Sequence, residues 1–187
     1  MQVIVSLLRG VNVGGHHKVK MEILRALYAS LGLNDPRTYV QSGNVVFRTA
    51  AQDLEALARK IERAIESTFS FHSDVVLRTA PELRAVVETN PFAGRNDVHP
   101  AKLSVFFLGA CPGPEAWDKV WAIPTGPEEL RSARRELYVY FPDGMGRSKL
   151  PVTAIERALN TTSTARNWNT VTKLLSMAEE MESPDNR

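Results

Sequence analysis

The stretch MQVIVSLLRGVNVGGHHKVKMEILRALYASLGLNDPRTYVQSGNVVF, residues 1–47, decides the fold. Val3-Ile4-Val5-Ser6-Leu7-Leu8 is a nearly continuous apolar run rich in β-branched residues, which suits a central strand buried on both faces. A polar, glycine-bearing loop follows, Arg9-Gly10-Val11-Asn12-Val13-Gly14-Gly15-His16-His17-Lys18. From Met21 the apolar spacing changes to three and four: Met21, Leu24, Leu27, Tyr28 and Leu31 predict an amphipathic helix that Gly32 ends. Asn34-Asp35-Pro36 then turns the chain into a strand, Thr38-Tyr39-Val40. The four-residue turn Gln41-Ser42-Gly43-Asn44 leads to another, Val45-Val46-Phe47.

The pattern continues outward from this stretch. Leu54, Leu57, Ala58, Ile61, Ala64 and Ile65 predict a second helix with Asp53 or Gln52 at its start, and Val75-Val76-Leu77 a fourth strand. Strand, helix, strand, strand, helix, strand is the order of a ferredoxin-like unit. A short helix over 81–88 and a loop of turn formers, Asn90 to Asp97, form a connection, and the order then repeats. Strands are expected at 103–108, 129–132 and 137–141, with an edge strand at 163–165. Helices are expected at 114–121, 152–159 and 168–181. The fold class is therefore α+β, two ferredoxin-like (β-α-β-β-α-β) halves with four-stranded antiparallel sheets. We place the N-terminal half at 1–80, the linking helix and loop at 81–101 and the C-terminal half at 102–187. Each sheet is expected to carry two helices on one face. Glu182 to Arg187 has no apolar residue and reads as a frayed end.

A chain of 187 residues with 23 basic and 21 acidic side chains carries a formal charge of +2, too small to imply nucleic acid or membrane by itself. A pI of 8.8 allows a locally basic face. Cys111 is the only cysteine, so no intrachain disulfide can form and multi-cysteine metal sites are excluded. The apolar run at 3–8 ends at Arg9 without a small-residue cleavage site, and no stretch approaches the roughly 20 apolar residues of a membrane span. A cytoplasmic setting is expected, with no membrane partner.

Three segments together resemble a known family: Arg9 to Gly15; Tyr39-Val40-Gln41-Ser42-Gly43-Asn44-Val45-Val46-Phe47; and Gly146-Arg147-Ser148-Lys149-Leu150 with Thr164-Ala165-Arg166-Asn167-Trp168-Asn169-Thr170-Val171. In this order they are similar to the bacterial domain of unknown function 1697. The resemblance implies two ferredoxin-like halves and no particular activity. The His16-His17 pair departs from the family pattern, which more often has a small or basic residue there.

In a ferredoxin-like half with strand order 4-1-3-2, the loop leaving strand one, the turn between strands two and three, and the entry to strand four near Phe71-His72-Ser73 share one end. That topology brings Arg9, Asn12, Gly14, Gly15 and Lys18 toward Gln41, Ser42 and Asn44. Glycines expose backbone donors there, beside a helix start, as an anion site needs. The plainer reading is a loop shaped by glycines and an ordinary hairpin turn. In the second half the same logic groups Arg147, Ser148 and Lys149 with Arg166 and Asn167, the last a candidate N-cap. The plainer reading there is a capped helix beside solvated charges.

Conventional chemistry is not indicated. Gly-Lys-Ser/Thr is absent, and Gly-x-Asn-x-Gly-Gly is not the dinucleotide fingerprint, so no cofactor is expected. His16, His17, His72 and His99 stand without a carboxylate cluster, so no metal is expected. Trp117, Trp121 and Trp168 read as packing residues, Cys111 as structural, and the adjacent Ser148-Lys149 as no catalytic dyad. The leading functional reading is a binding module for a phosphate-bearing ligand, small molecule or nucleic acid. The alternative is an enzyme on a small anionic substrate, with catalytic residues unassigned.

Overall fold

A computed structural model describes residues 1–183. The last four residues of the expected frayed end lie outside them. The elements of the first part are β1 (Gln2–Leu8), α1 (Met21–Ser30), β2 (Asn34–Tyr39), β3 (Asn44–Thr49), α2 (Leu54–Phe69) and β4 (Val75–Thr79). After α3 (Ala80–Glu88) come β5 (Leu103–Leu108), α4 (Pro114–Trp121), β6 (Glu129–Ala133), β7 (Glu136–Tyr140), α5 (Val152–Leu159), β8 (Ser163–Asn167) and α6 (Trp168–Glu182). The strands form two four-stranded sheets of order β2-β3-β1-β4 and β6-β7-β5-β8, with antiparallel neighbours throughout. The architecture is two ferredoxin-like halves. The chain divides into two compact units, Met1–Arg84 with the segment from Lys173 on, and Ala85–Thr172.

In the first unit, alternate residues of the strands point to a core shared with α1 and α2. Ile4, Leu8, Val45 and Phe47 meet Leu24 and Tyr28 from α1 and Leu57, Ile61 and Ile65 from α2. The Tyr28 ring packs edge-on to Phe47 at 5.4 Å, and its hydroxyl and that of Ser6 share a 2.8 Å hydrogen bond. Burial pushes the Tyr28 phenol well above its usual range, against the opposing effect of that hydrogen bond. Asp53 caps α2 through a 2.9 Å bond from the Ala56 N–H.

Two helices on one face do not complete the burial. Val3, Val5 and Leu7 point away from α1 and α2, yet they too are buried. Arg48 lies on that second face, opposite to Val45 and Phe47, and donates to the Met181 carbonyl near the end of α6. The later part of α6 therefore covers it, with Leu174, Ala178 and Met181 buried. In the second unit, Phe106, Leu137, Val139 and Phe141 form the core with Val120 of α4 and with Ile155 and Leu159 of α5. The opposite face is covered as well: the Tyr138 hydroxyl donates to the Val86 carbonyl of α3 at 2.7 Å, and its ring lies 6.5 Å from that of Trp168. Helices outside the repeated pattern thus give each sheet a second layer.

One strand starts earlier than its sequence suggests. Asn34-Asp35-Pro36 reads as a turn, but β2 begins at Asn34 and carries an irregularity between Asn34 and Arg37. Asp35 there has φ of 49°, and Pro36 lacks an N–H. Both are tolerated because β2 is an edge strand, where a missing ladder bond faces away from the sheet.

Gly43 fixes the turn between β2 and β3 against β1. Its carbonyl accepts from the Leu8 N–H at 2.9 Å, its φ is +68°, and an added Cβ would stand 2.7 Å from Leu8 Cβ. Gly43→Ala is therefore expected to destabilise the protein by about 2–4 kcal/mol, since backbone strain and a clash with a rigid atom add. Gly15→Ala, with nothing within 4 Å of the new methyl, should cost about 1–2 kcal/mol from strain alone. Urea denaturation of the two variants measures the difference. Equal midpoints would show that the Leu8 contact is not what selects glycine at 43.

Candidate functional site

Three connections meet where β1 ends. The Arg9 N–H donates to the Asp74 carbonyl at 2.9 Å, and the Ser73 hydroxyl to the Arg9 carbonyl at 2.8 Å. His17 stacks on Phe71 with ring centroids 4.2 Å apart and planes 9° from parallel. Its Nδ1 lies 3.2 Å from the Gly10 carbonyl; a carbonyl only accepts, so that nitrogen carries the proton. His17 thus holds the loop to the entry of β4.

Asn12 joins the loop to the turn. Its Nδ2 donates to the Gln41 carbonyl at 2.7 Å and the Val19 carbonyl at 3.0 Å, while its Oδ1 accepts from the Val19 N–H at 2.8 Å. The Asn12 N–H donates to the His17 carbonyl at 3.1 Å. Its φ of 56° is one that asparagine adopts more readily than most residues. One side chain therefore ties together the loop, the segment entering α1 and the β2–β3 turn.

Beside this junction opens a surface pocket of about 650 Å³. It is lined by the loop residues Asn12, Gly15 and Lys18, by Gln41 of the turn, and by the start of α1 from Val19 to Glu22 together with Arg25. Lys18, Lys20 and Arg25 share this lining with one carboxylate, Glu22. Arg25 is held in place by a 2.7 Å bond from its guanidinium to the Thr38 hydroxyl. Lys20 occupies the N-cap of α1 in extended conformation and makes no side-chain cap, because an ammonium has no acceptor. The first-turn N–H groups are thus left uncapped, and the positive end of the helix opens on a basic pocket.

Of the residues singled out in the first half, Asn12, Gly15, Lys18 and Gln41 line this pocket; Arg9, Gly14, Ser42 and Asn44 stand outside its lining. Asn44 is fully buried, and its Nδ2 donates to the Tyr39 carbonyl at 3.1 Å and the Ser42 hydroxyl at 2.8 Å. It shapes the turn. Lys20, Glu22 and Arg25 are pocket residues that the sequence motifs do not mark. Helical spacing could have found Arg25, since positions 21, 22 and 25 fall on one face of a helix beginning at Met21.

The second grouping does not converge in the same way. Arg166 is buried, its guanidinium donating to the Thr164 hydroxyl at 2.7 Å and the Ala165 carbonyl at 2.8 Å. Loss of hydration pushes its pKa down to about 10, so it stays charged at neutral pH. Ser148 donates to the carboxylate of the buried Glu128 and accepts from the Leu150 N–H at 3.0 Å. Arg147 and Lys149 are exposed on either side of it. Asn167 does cap α6: its Oδ1 accepts from the Asn169 N–H at 3.0 Å, and its Nδ2 reaches back to the Ala101 carbonyl at 2.8 Å. Among the described residues no group of three or more His, Cys, Asp and Glu side chains could hold a metal ion, and no helix is long and apolar enough to cross a membrane.

The family profile described as "Protein of unknown function (DUF1697)" matches residues 1–138, a span that contains the whole first sheet and its polar end. The chain belongs to the DUF1697 family. The Arg147 and Asn167 segments lie beyond the matched residues. Among curated proteins none matches the chain. A solved structure described as that of the conserved bacterial protein SP0830 from Streptococcus pneumoniae is similar, with a TM-score of 0.73 at 22% identity, over 95% of this chain and 98% of that one. At that identity the likeness concerns the fold. This DUF1697 chain shares its architecture with a conserved bacterial protein, and its site has to be read from its own residues.

Two substitutions separate the roles of the asparagines. Asn167→Ala should cost about 1 kcal/mol of stability through the lost cap. Asn12→Ala should cost about 1–3 kcal/mol, because the part-buried N–H and carbonyl of Val19 lose their partner, while the Gln41 carbonyl, at an exposed residue, can turn to water. It should also raise amide hydrogen exchange across residues 10–19. Unchanged exchange in that segment would show that the loop is held without Asn12.

Proposed function

We propose that this protein is a binding module whose ligand presents a phosphate, or a like anion, to the pocket at the start of α1. The observation that carries this reading is convergence. Lys18, Lys20 and Arg25 meet an uncapped helix start in a single pocket, across from Gln41. An N-terminal helix end and its first-turn N–H groups favour a negative group, and three cations against one carboxylate strengthen that preference. Each exposed charge alone contributes at most about 1 kcal/mol, so the shared geometry matters more than the count. Asn12 and the Arg25–Thr38 bond set that geometry before any ligand arrives, which lowers the ordering cost of binding. The pocket falls within the size range of small-molecule sites, roughly 300–1,000 Å³.

The test is a calorimetric and thermal-shift comparison with pyrophosphate and ribose 5-phosphate at low and moderate salt. Binding should raise the unfolding midpoint, weaken as salt screens the cations, and fall about tenfold or more in Lys20→Ala/Arg25→Ala. An Arg147→Ala/Lys149→Ala variant should bind as the parent does. Loss of binding in that second variant alone would move the site to the other half, and no response to either anion would remove the reading.

A further inference from the structure

Two exposed valines, Val13 and Val40, are chain neighbours of residues that line the basic pocket, and we propose that its ligand is a nucleotide, with a base beside its phosphate, rather than a bare phosphate or a sugar phosphate. This rests on the anion reading above and names the ligand class within it.

Among the described residues the exposed large hydrophobic side chains are Met1, Val13, Ile23, Val40, Trp121 and Met145. Val13 and Val40 are each the chain neighbour of a residue that lines the pocket, Asn12 and Gln41. Val13 and Val40 also stand one residue from either end of the 2.7 Å bond between Asn12 Nδ2 and the Gln41 carbonyl. That bond holds the two loops together, and with them two valines that are 64% and 51% exposed.

Val40 is unfavourable for the fold on two counts. Its φ is +49°, in the left-handed region where a β-branched side chain crowds its own backbone. Half of its surface is also left in water. A turn in this place is served better by asparagine, aspartate or glycine. Internal packing does not account for a valine here, whereas contact with an apolar ligand surface does. A phosphate needs only the donors that Lys18, Lys20 and Arg25 supply. A base adds a flat, weakly hydrated face that apolar side chains next to the lining residues can cover, and a pocket of about 650 Å³ has room for both.

The experiment compares ribose 5-phosphate with the four nucleoside 5′-monophosphates by calorimetry on the full chain, then repeats both titrations on Val40→Asn. Nucleoside monophosphates should bind about tenfold tighter than ribose 5-phosphate. Val40→Asn relieves the backbone, so its unfolding midpoint should equal or exceed that of the parent. It should nevertheless lower nucleotide affinity by about threefold while leaving ribose 5-phosphate unchanged. If ribose 5-phosphate binds as tightly as the nucleotides, the anion reading stands and the nucleotide inference falls. The nucleotide inference also falls if the chain prefers phosphatidylserine vesicles to nucleotides and Val40→Asn abolishes that preference. If neither ribose 5-phosphate nor any nucleotide binds, the nucleotide inference falls, and the anion reading falls with it when pyrophosphate also fails to bind.

Discussion

Everything at the polar end follows from the position of β1. From Ile4 to Leu8 the strand is hydrogen-bonded on its two edges, to β3 and to β4, and buried on both faces, so its backbone groups there find their partners in the sheet rather than in water. Because both neighbours run antiparallel to it, the chain leaving β1 must emerge between the β2–β3 turn and the entry to β4. The bonds from Leu8 to Gly43 and from Arg9 to Asp74 record this on the two edges of the strand. The Gly-rich loop cannot wander from that place without breaking one of them. A strand with apolar residues at nearly every position therefore fixes where a polar loop lies.

The same strand explains the helices that a single ferredoxin-like pattern does not supply. Val3, Val5 and Leu7 would face solvent if α1 and α2 were the only cover, and burying such side chains contributes about 1.5–3 kcal/mol each. The chain instead brings α6 over that face, where Arg48 bonds to the Met181 carbonyl. The second sheet is closed by comparable means through Tyr138 and Val86. An apolar run without alternation already signals two-sided burial. It does not say which distant segment supplies the second layer.

Local periodicity makes the elements legible. The three-and-four spacing in α1 and α2, the glycine after α1 and the Asp53 cap are all short-range signals, and the structure follows them closely. Topology then predicts which loops share an end, since that depends on strand order alone. What stays hidden is the fate of individual polar side chains. Asn44 and Arg166 look like surface donors in the sequence, yet both are buried and bonded to nearby carbonyls and hydroxyls. A strand places alternate residues inward, so a polar residue on the inward register is drawn in with its neighbours and has to find partners there. Lys20 and Arg25 escape notice for the opposite reason: they sit on a helix whose apolar face commands the reading, while its charged face borders the loop.

The two halves share a topology but not a chemistry at their polar ends. In the second half the N-terminus of α6 is closed by Asn167, whose side chain is also bonded to the Ala101 carbonyl. Ser148 is engaged by the Glu128 carboxylate, which disfavours a second negative group nearby. In the first half the corresponding work of holding the loops falls to Asn12 and His17, which bond to backbone groups and leave the start of α1 to a lysine that cannot cap it. A capped helix end beside a carboxylate has its electrostatic needs met within the protein. An uncapped one among three cations does not, and a ligand that completes it gains what the fold has left unsatisfied. That asymmetry, on two copies of one topology, is why the proposed binding role falls to the first half.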